Sequence, residues 1–159
     1  MPGIVLVDNQ AGRDWGQLPA DLARRTGWEV VIATQPLASQ LTTSRFDGGV
    51  LVGTGDGAVE TTSYAGSVED HRVWGIALHS PRFVTAARDL REELGYIRVP
   101  ILIVTHGADT ETDRQSQIAA EECYCPVDVA RADSDADLVR VLAEFAATLA
   151  LTQGSGASA

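Results

Sequence analysis

The chain has 159 residues, 45% of them hydrophobic, and a formal charge of -10 from 12 basic and 22 acidic side chains. That length suits one domain with a single well-filled core, and the acidity opposes the phosphate-tracking face that a nucleic-acid binder needs. No apolar run reaches the length of a bilayer span, and the N-terminus enters a strand without a basic segment or a cleavable apolar stretch. A cytoplasmic protein with neither nucleic acid nor membrane among its partners is expected.

Gly3 to Val7 reads as a first buried strand ending in Asp8-Asn9, and Trp28 to Ala33 as a second. Between them, Asp14 to Thr26 places Leu18 and Leu22 on one helical face, with Gly27 as the stop. A short helix through Leu37 and Leu41 follows Pro36. Gly48 to Gly53 then forms a third strand running into Thr54-Gly55-Asp56-Gly57. Repeated strand-helix-strand order requires right-handed crossovers and a parallel sheet.

Ala58 to Arg72 is polar and lacks a helical period, so it reads as a long loop. Val73 to Leu78 is a candidate extra strand. Ser80-Pro81 resembles a helix cap with proline in the first turn, followed by a stripe of Phe83, Ala87, Leu90 and Leu94 closed by Gly95. Val99 to Gly107 is an apolar run opened by Pro100 and closed by Thr105-His106-Gly107, the pattern of a strand buried on both faces. A polar helix over Glu111 to Glu122 and a strand over Pro126 to Ala130 come next. The last helix opens at Ser134 with Asp137 three residues on, and carries Leu138, Val141, Leu142, Phe145 and Leu149 on one face. Residues 1–151 therefore form one α/β domain and residues 152–159 a flexible tail or linker.

Read in order, Ile4 to Asn9, Leu22 to Val30, Phe46 to Val52, Val99 to Gly107 and Val129 to Ser134 resemble the receiver domain of bacterial response regulators. The resemblance implies a flavodoxin-like three-layer α/β/α sandwich. Its five-stranded parallel sheet would have the order 2-1-3-4-5, with an extended segment between strands 3 and 4. It also implies a regulatory pocket of Asp8, Asn9, Asp56, Thr105 and Arg131. Aspartyl phosphorylation needs a carboxylate at the end of the third strand and a divalent cation held by neighbouring acids. The acceptor position falls on Val52 or Gly53 and Asn9 stands where a second acid would be, so a pseudo-receiver acting in signal transduction by protein recognition is expected, without enzymatic activity. Asp56 is the one nearby substitute acceptor. Magnesium on Asp8 and Asp56 would accompany it, and no other cofactor or metal is expected.

Two alternatives stay open. Asp8, Asp56, His106 and Asp109 could crowd the carboxyl edge of the sheet and serve as acid-base groups or metal ligands of an enzyme. The glycine cluster Gly53 to Gly57 suggests a small-molecule or nucleotide-binding enzyme on a flavodoxin-like scaffold. Tyr64, His71, Arg72 and Trp74 form a candidate surface for a protein partner or output domain, and a homodimer is compatible with the sequence. Cys123 and Cys125 lack the ligand spacing of a metal site and read as ordinary thiols.

Overall fold

The computed structural model describes residues 1–8, 15–107 and 109–157, the side chains of 154–157 excepted. Strands β1 (Gly3–Val7), β2 (Glu29–Ile32), β3 (Gly49–Thr54) and β4 (Val73–His79) alternate with helices α1 (Leu18–Thr26), α2 (Leu37–Thr43) and α3 (Asp56–Ser67). A two-stranded ribbon, β5 (Val84–Thr85) and β6 (Arg88–Asp89), precedes α4 (Arg91–Tyr96). β7 (Ile101–Thr105), α5 (Thr110–Glu122), β8 (Val127–Arg131) and α6 (Asp135–Ala157) complete the order. The main sheet is six-stranded, β2-β1-β3-β4-β7-β8, and every pairing in it is parallel.

Alternation along the strands divides the core into two layers. Ile4, Leu6, Val50, Val52, Ala77, Leu102 and Val104 face α1 and α6, meeting Leu18, Leu22, Leu138 and Leu142. Val5, Val7, Leu51, Ile76, Leu78, Ile101 and Ile103 face the other helices, meeting Leu37, Leu41, Ala58, Leu94 and Ala119. Both faces of the sheet are thus covered, which explains why its central strands read as unbroken apolar runs. Among the described residues, no helix is long and apolar enough to cross a membrane.

The expected three-layer parallel sandwich is present, but the five-stranded order 2-1-3-4-5 is not. The segment between Gly53 and Val99 contributes a full strand, because Gly75, Ile76, Ala77 and Leu78 are buried between β3 and β7. The expected loop over Ala58 to Arg72 is largely the helix α3. Its buried face is built from Gly57, Ala58, Thr61 and Thr62, and each threonine hydroxyl donates to the carbonyl four residues back at 2.7 Å. Polar composition therefore concealed a helix whose hydroxyls are satisfied internally.

The helix expected after Ser80-Pro81 is replaced by the β5-β6 ribbon. Ser80 adopts φ 49, and Gln115, fully buried on α5, accepts from the backbone of Phe83 (2.8 Å) and Val84 (3.0 Å) while donating to the Val84 carbonyl (2.8 Å). One amide side chain holds the ribbon against α5. Of the long apolar stripe, Phe83, Leu90 and Leu94 are buried and Ala87 is exposed.

A close backbone approach joins β3, α3 and β1. A Cβ on Gly53 would lie 2.5 Å from the Gly57 carbonyl oxygen, and one on Gly57 would collide with the Val7 carbonyl. Gly57→Ala is expected to lower the unfolding free energy by about 2–4 kcal/mol, read as a lower urea midpoint at unchanged slope. Gly95→Ala in α4, where a Cβ would meet only the Glu122 carbonyl at 3.7 Å, is expected to be neutral or stabilising by up to about 1 kcal/mol. Equal losses at the two positions would contradict the close approach.

Candidate active site

The carboxyl ends of β1, β3, β4, β7 and β8 bring polar residues to one edge of the sheet. Asp8 follows β1, and its Cα lies 3.0 Å from where a Gly57 Cβ would stand. Asp56 is the first residue of α3, beside Asp8 in the fold, and is exposed. His79 ends β4 in register with Thr54 on β3 and Val104 on β7. Thr105 ends β7, and His106 follows it with its ring centroid 6.3 Å from that of His79. The Thr105 hydroxyl oxygen is buried and has no hydrogen-bond partner among the described residues. A buried polar atom left in that state costs about 1–3 kcal/mol relative to a satisfied one.

The turn between β3 and α3 has an unusual backbone. Gly55 adopts φ 56 and ψ -124, a conformation that costs a side-chain-bearing residue about 1–3 kcal/mol. No atom of the described residues lies within 4 Å of the position its Cβ would take. Gly53 and Gly57 are tightly enclosed while Gly55 between them faces open space. The strand thus turns into the helix through a sharp corner whose apex carries no side chain.

The neighbouring acids are tied down. Asp109 caps α5, accepting from the Thr112 N–H at 3.1 Å and the Thr112 hydroxyl at 2.6 Å, with Arg82 at 3.4 Å. The Thr112 hydrogen bonds, helped by Arg82, hold its carboxyl at about 2, below the usual 3.8. Asp133 accepts from the Gly107 N–H at 2.6 Å and from Arg131 at 2.8 Å. The Gly107 bond chiefly lowers its pKa, with contributions from Arg131 and from the nearby charge of His106.

The structure gathers Asp8, Asp56 and Thr105 at this edge, together with Arg131, whose guanidinium turns to Asp133. Asn9 lies outside the described residues. No group of three or more metal-ligating side chains occurs among the described residues. Tyr64, His71, Arg72 and Trp74 are not one surface. Trp74 packs edge-on against Trp28, at 5.7 Å and 89°, on the side of α1 and α6, whereas Tyr64 packs into the opposite layer. His71 is exposed. Tyr64 and Arg72 both bind Asp70, at 2.7 Å and 2.8 Å, and Arg72 also donates to the Leu41 and Phe46 carbonyls.

No family model matches the sequence, and no curated protein matches it. Solved structures do match its fold. A predicted CIB-like hydrolase from Thermoplasma acidophilum aligns with TM-score 0.70 at 14% identity, over 91% of this chain and 85% of that one. An alpha/beta hydrolase from Sphaerobacter thermophilus gives 0.68 at 12% identity, over 91% and 92%. The enol-lactonase from Burkholderia xenovorans gives 0.60 at 15% identity, over 94% and 91%. The chain therefore has the α/β hydrolase fold.

This overturns the receiver resemblance, and with it the expected signalling role and the expected lack of catalysis, since the solved structures sharing the fold bear the names of enzymes. The quoted pieces of sequence are what parallel α/β sheets share: a first strand ending in an acid, a long apolar third strand, and a hydroxyl at a strand end. The sixth strand and the corner at Gly55 separate the two folds.

In α/β hydrolases a G-x-S-x-G turn presents the nucleophile on a strained strand-to-helix corner, with the acid and then a histidine following in the chain. Gly53-Thr54-Gly55-Asp56-Gly57 reproduces that corner with glycine at its centre. All three histidines, His71, His79 and His106, precede Asp109, so no histidine follows even if Asp109 is taken as the acid. The strand-to-helix corner has that geometry, with Gly55 at its apex. Sequence reasoning singled out the glycine cluster, Asp8, Asp56, His106 and Asp109, but missed His79 and the meaning of Gly55. The spacing of the three glycines immediately after a strand was the available signal.

The Asp70 cluster makes a separate prediction. Arg72 hydrogen bonds hold the Asp70 carboxyl at about 2 against an ordinary 3.8, and burial with the Asp70 hydrogen bond raises the Tyr64 phenol to about 12. Because the folded carboxyl binds its proton less readily than the unfolded one, it adds about 2 kcal/mol of stability above pH 4. That contribution disappears as pH falls through about 2. Asp70→Asn is expected to lose about 2 kcal/mol or more at pH 7 and to flatten the acid limb of urea unfolding. Parallel acid limbs for the two proteins would contradict the pairing.

Proposed function

We propose that the protein is a hydrolytic enzyme for small uncharged esters or lactones, in which a water molecule rather than a protein hydroxyl attacks the carbonyl carbon. The observation that carries this reading is the nucleophile elbow with Gly55 at its apex: the strained backbone is preserved, and the space a catalytic side chain would take is open. His79, beside Thr54 in register, is the base for a water held over Gly55. His106, its ring centroid 6.3 Å from that of His79, is the second imidazole at this edge.

In this mechanism His79 takes a proton from water as the water oxygen bonds to the carbonyl carbon. The resulting oxyanion meets the backbone N–H of Asp56, the residue after the elbow centre. The returning proton goes to the departing alkoxide as the C–O bond breaks, giving acid and alcohol. A positioned base supplies about 10²–10⁴ in rate, and one oxyanion donor about 10²–10³. The Thr105 hydroxyl, buried and unpartnered, offers a hydrogen bond to a polar group of the substrate. Asp8 and Asp56 at the opening disfavour anionic substrates.

The enol-lactonase shares this fold without sharing close sequence, which supports lactones among the first compounds to assay. Turnover of p-nitrophenyl acetate and a panel of γ- and δ-lactones is expected to show no burst and to survive a serine-directed fluorophosphonate. His79→Gln is expected to lower kcat by about 10² or more with the protein still folded by circular dichroism. A covalent adduct in the intact mass, or activity unchanged by both His79→Gln and His106→Gln, would contradict the mechanism.

A further inference from the structure

β8 ends the strand order, so one of its long sides pairs with β7 and the other is an open edge of the sheet. Two bonds fix which residues face which way. The Ile101 N–H donates to the Pro126 carbonyl at 2.9 Å, and the Ala132 N–H donates to the Thr105 carbonyl at 2.8 Å. Alternate residues of a strand bond to a given parallel neighbour, so Pro126, Asp128, Ala130 and Ala132 turn their backbone groups to β7. Val127, Val129 and Arg131 turn theirs outward. At the other edge of the sheet Glu29 and Ala33 bond to the β1 side, which leaves Val30 and Ile32 as the outward residues of β2.

β8 lacks the usual guards of an exposed edge. It keeps continuous register with β7 and contains no proline, glycine or lysine. Val129 at its centre is 53% exposed, although a β-branched residue gains from a cross-strand neighbour. Val127 packs into the layer of α5 and Ala130 into that of α6, so alternation puts Val129 and Arg131 on the first face and Asp128 on the second. On that second face an open groove of about 540 Å³ runs between β8 and α6, with Asp128, Ala130, Arg140, Glu144 and Phe145 in its lining.

We propose that this edge joins two copies of the chain, β8 pairing antiparallel with β8 of a second copy about a two-fold axis that passes through Val129 perpendicular to the sheet. Val129 then faces its own counterpart, and Val127 of each copy faces Arg131 of the other. Each of these outward pairs exchanges both backbone bonds. Charge selects the register: an axis one residue earlier would set Asp128 directly against Asp128, a destabilising like-charge pair. With the axis at Val129, Asp128 instead faces Ala130, on the side where Arg140 of the second copy lines the groove. Within one chain Asp128 has no ion pair among the described residues, and Arg140 meets Asp137 and Glu144 only at 3.9 Å and 3.7 Å.

A contact of this kind uses the same patch on both copies, so it closes at two. The two-fold points the carboxyl edges of the two sheets in opposite directions. Both candidate sites therefore stay open, and the pairing does not depend on the chemistry proposed for them.

Sedimentation equilibrium of the full chain over a range of concentrations tests the proposal, together with amide exchange read residue by residue. A single monomer–dimer equilibrium is expected, with the Val127, Val129 and Arg131 amides protected in the dimer and released on dilution. Val129→Lys, a change at an exposed position, is expected to weaken the dimer at least about tenfold with an unchanged circular dichroism spectrum. A chain that stays monomeric at every concentration, a dimer that Val129→Lys leaves intact, or open-ended assemblies built by pairing β8 with β2 would overturn the proposal. The amide measurement uses the wild-type chain, so it decides the matter even if the variant fails to fold.

Discussion

Everything at the functional edge depends on how closely α3 approaches β3 and β1. Gly53 and Gly57 have no room for even a methyl group, because the Gly57 carbonyl and the Val7 carbonyl occupy it. With the helix pressed so near, the chain has only Gly55 in which to change direction, and φ 56 with ψ -124 is the result. The helix therefore starts directly at the strand end, with its N-terminal turn beside Asp8. Without the two flanking glycines α3 would ride outward, and the apex would lose its position over the sheet.

The rest of the molecule keeps that corner rigid from both sides. On one face α1 and α6 fill the layer beneath Ile4, Leu6 and Val52; on the other, Ala58 of α3 sits in the layer with Val5, Val7 and Leu51. Across the edge, Gln115 and the Arg82–Asp109–Thr112 cluster fasten the β5-β6 ribbon to α5. Asp109 is thus occupied in capping and in holding the ribbon, a role that competes with orienting a catalytic base. At the carboxyl edge lie His79 and His106, their ring centroids 6.3 Å apart, with Asp8, Asp56 and a buried Thr105 hydroxyl that has no partner among the described residues.

Much of the sheet was legible because strands buried on both faces have little choice of composition. β1, β3 and β7 declare themselves as apolar runs ending in polar residues, and α1 and α6 as amphipathic stripes. α3 was hidden because its buried face is glycine, alanine and threonine, residues whose contribution is close approach and internal hydroxyl bonding rather than hydrophobicity. Phe83, Leu90 and Leu94 fall at helical spacing, yet Phe83 is held by Gln115, a contact between residues about thirty apart in sequence that no local pattern encodes. Without the α3 helix and the β4 strand, the remaining strands fit a five-stranded sheet, and that is the source of the receiver resemblance. Asp8, Asp56 and Thr105 were nevertheless placed at the correct edge, since the ends of parallel strands gather there whatever the strand count. Gly55 was legible only once its backbone angles were known.

The central claim is that small carbonyl compounds bind over the Gly55 apex. A titration of the isotopically labelled protein with a short trifluoromethyl ketone, followed by amide and imidazole resonances, tests this directly. The account predicts saturable shifts at Gly55, Asp56 and Gly57 and at the His79 and His106 rings, with little change around Tyr64, Asp70 and Arg98 at the opposite edge. Shifts concentrated at that opposite edge, or no saturable shift at the elbow, would contradict it.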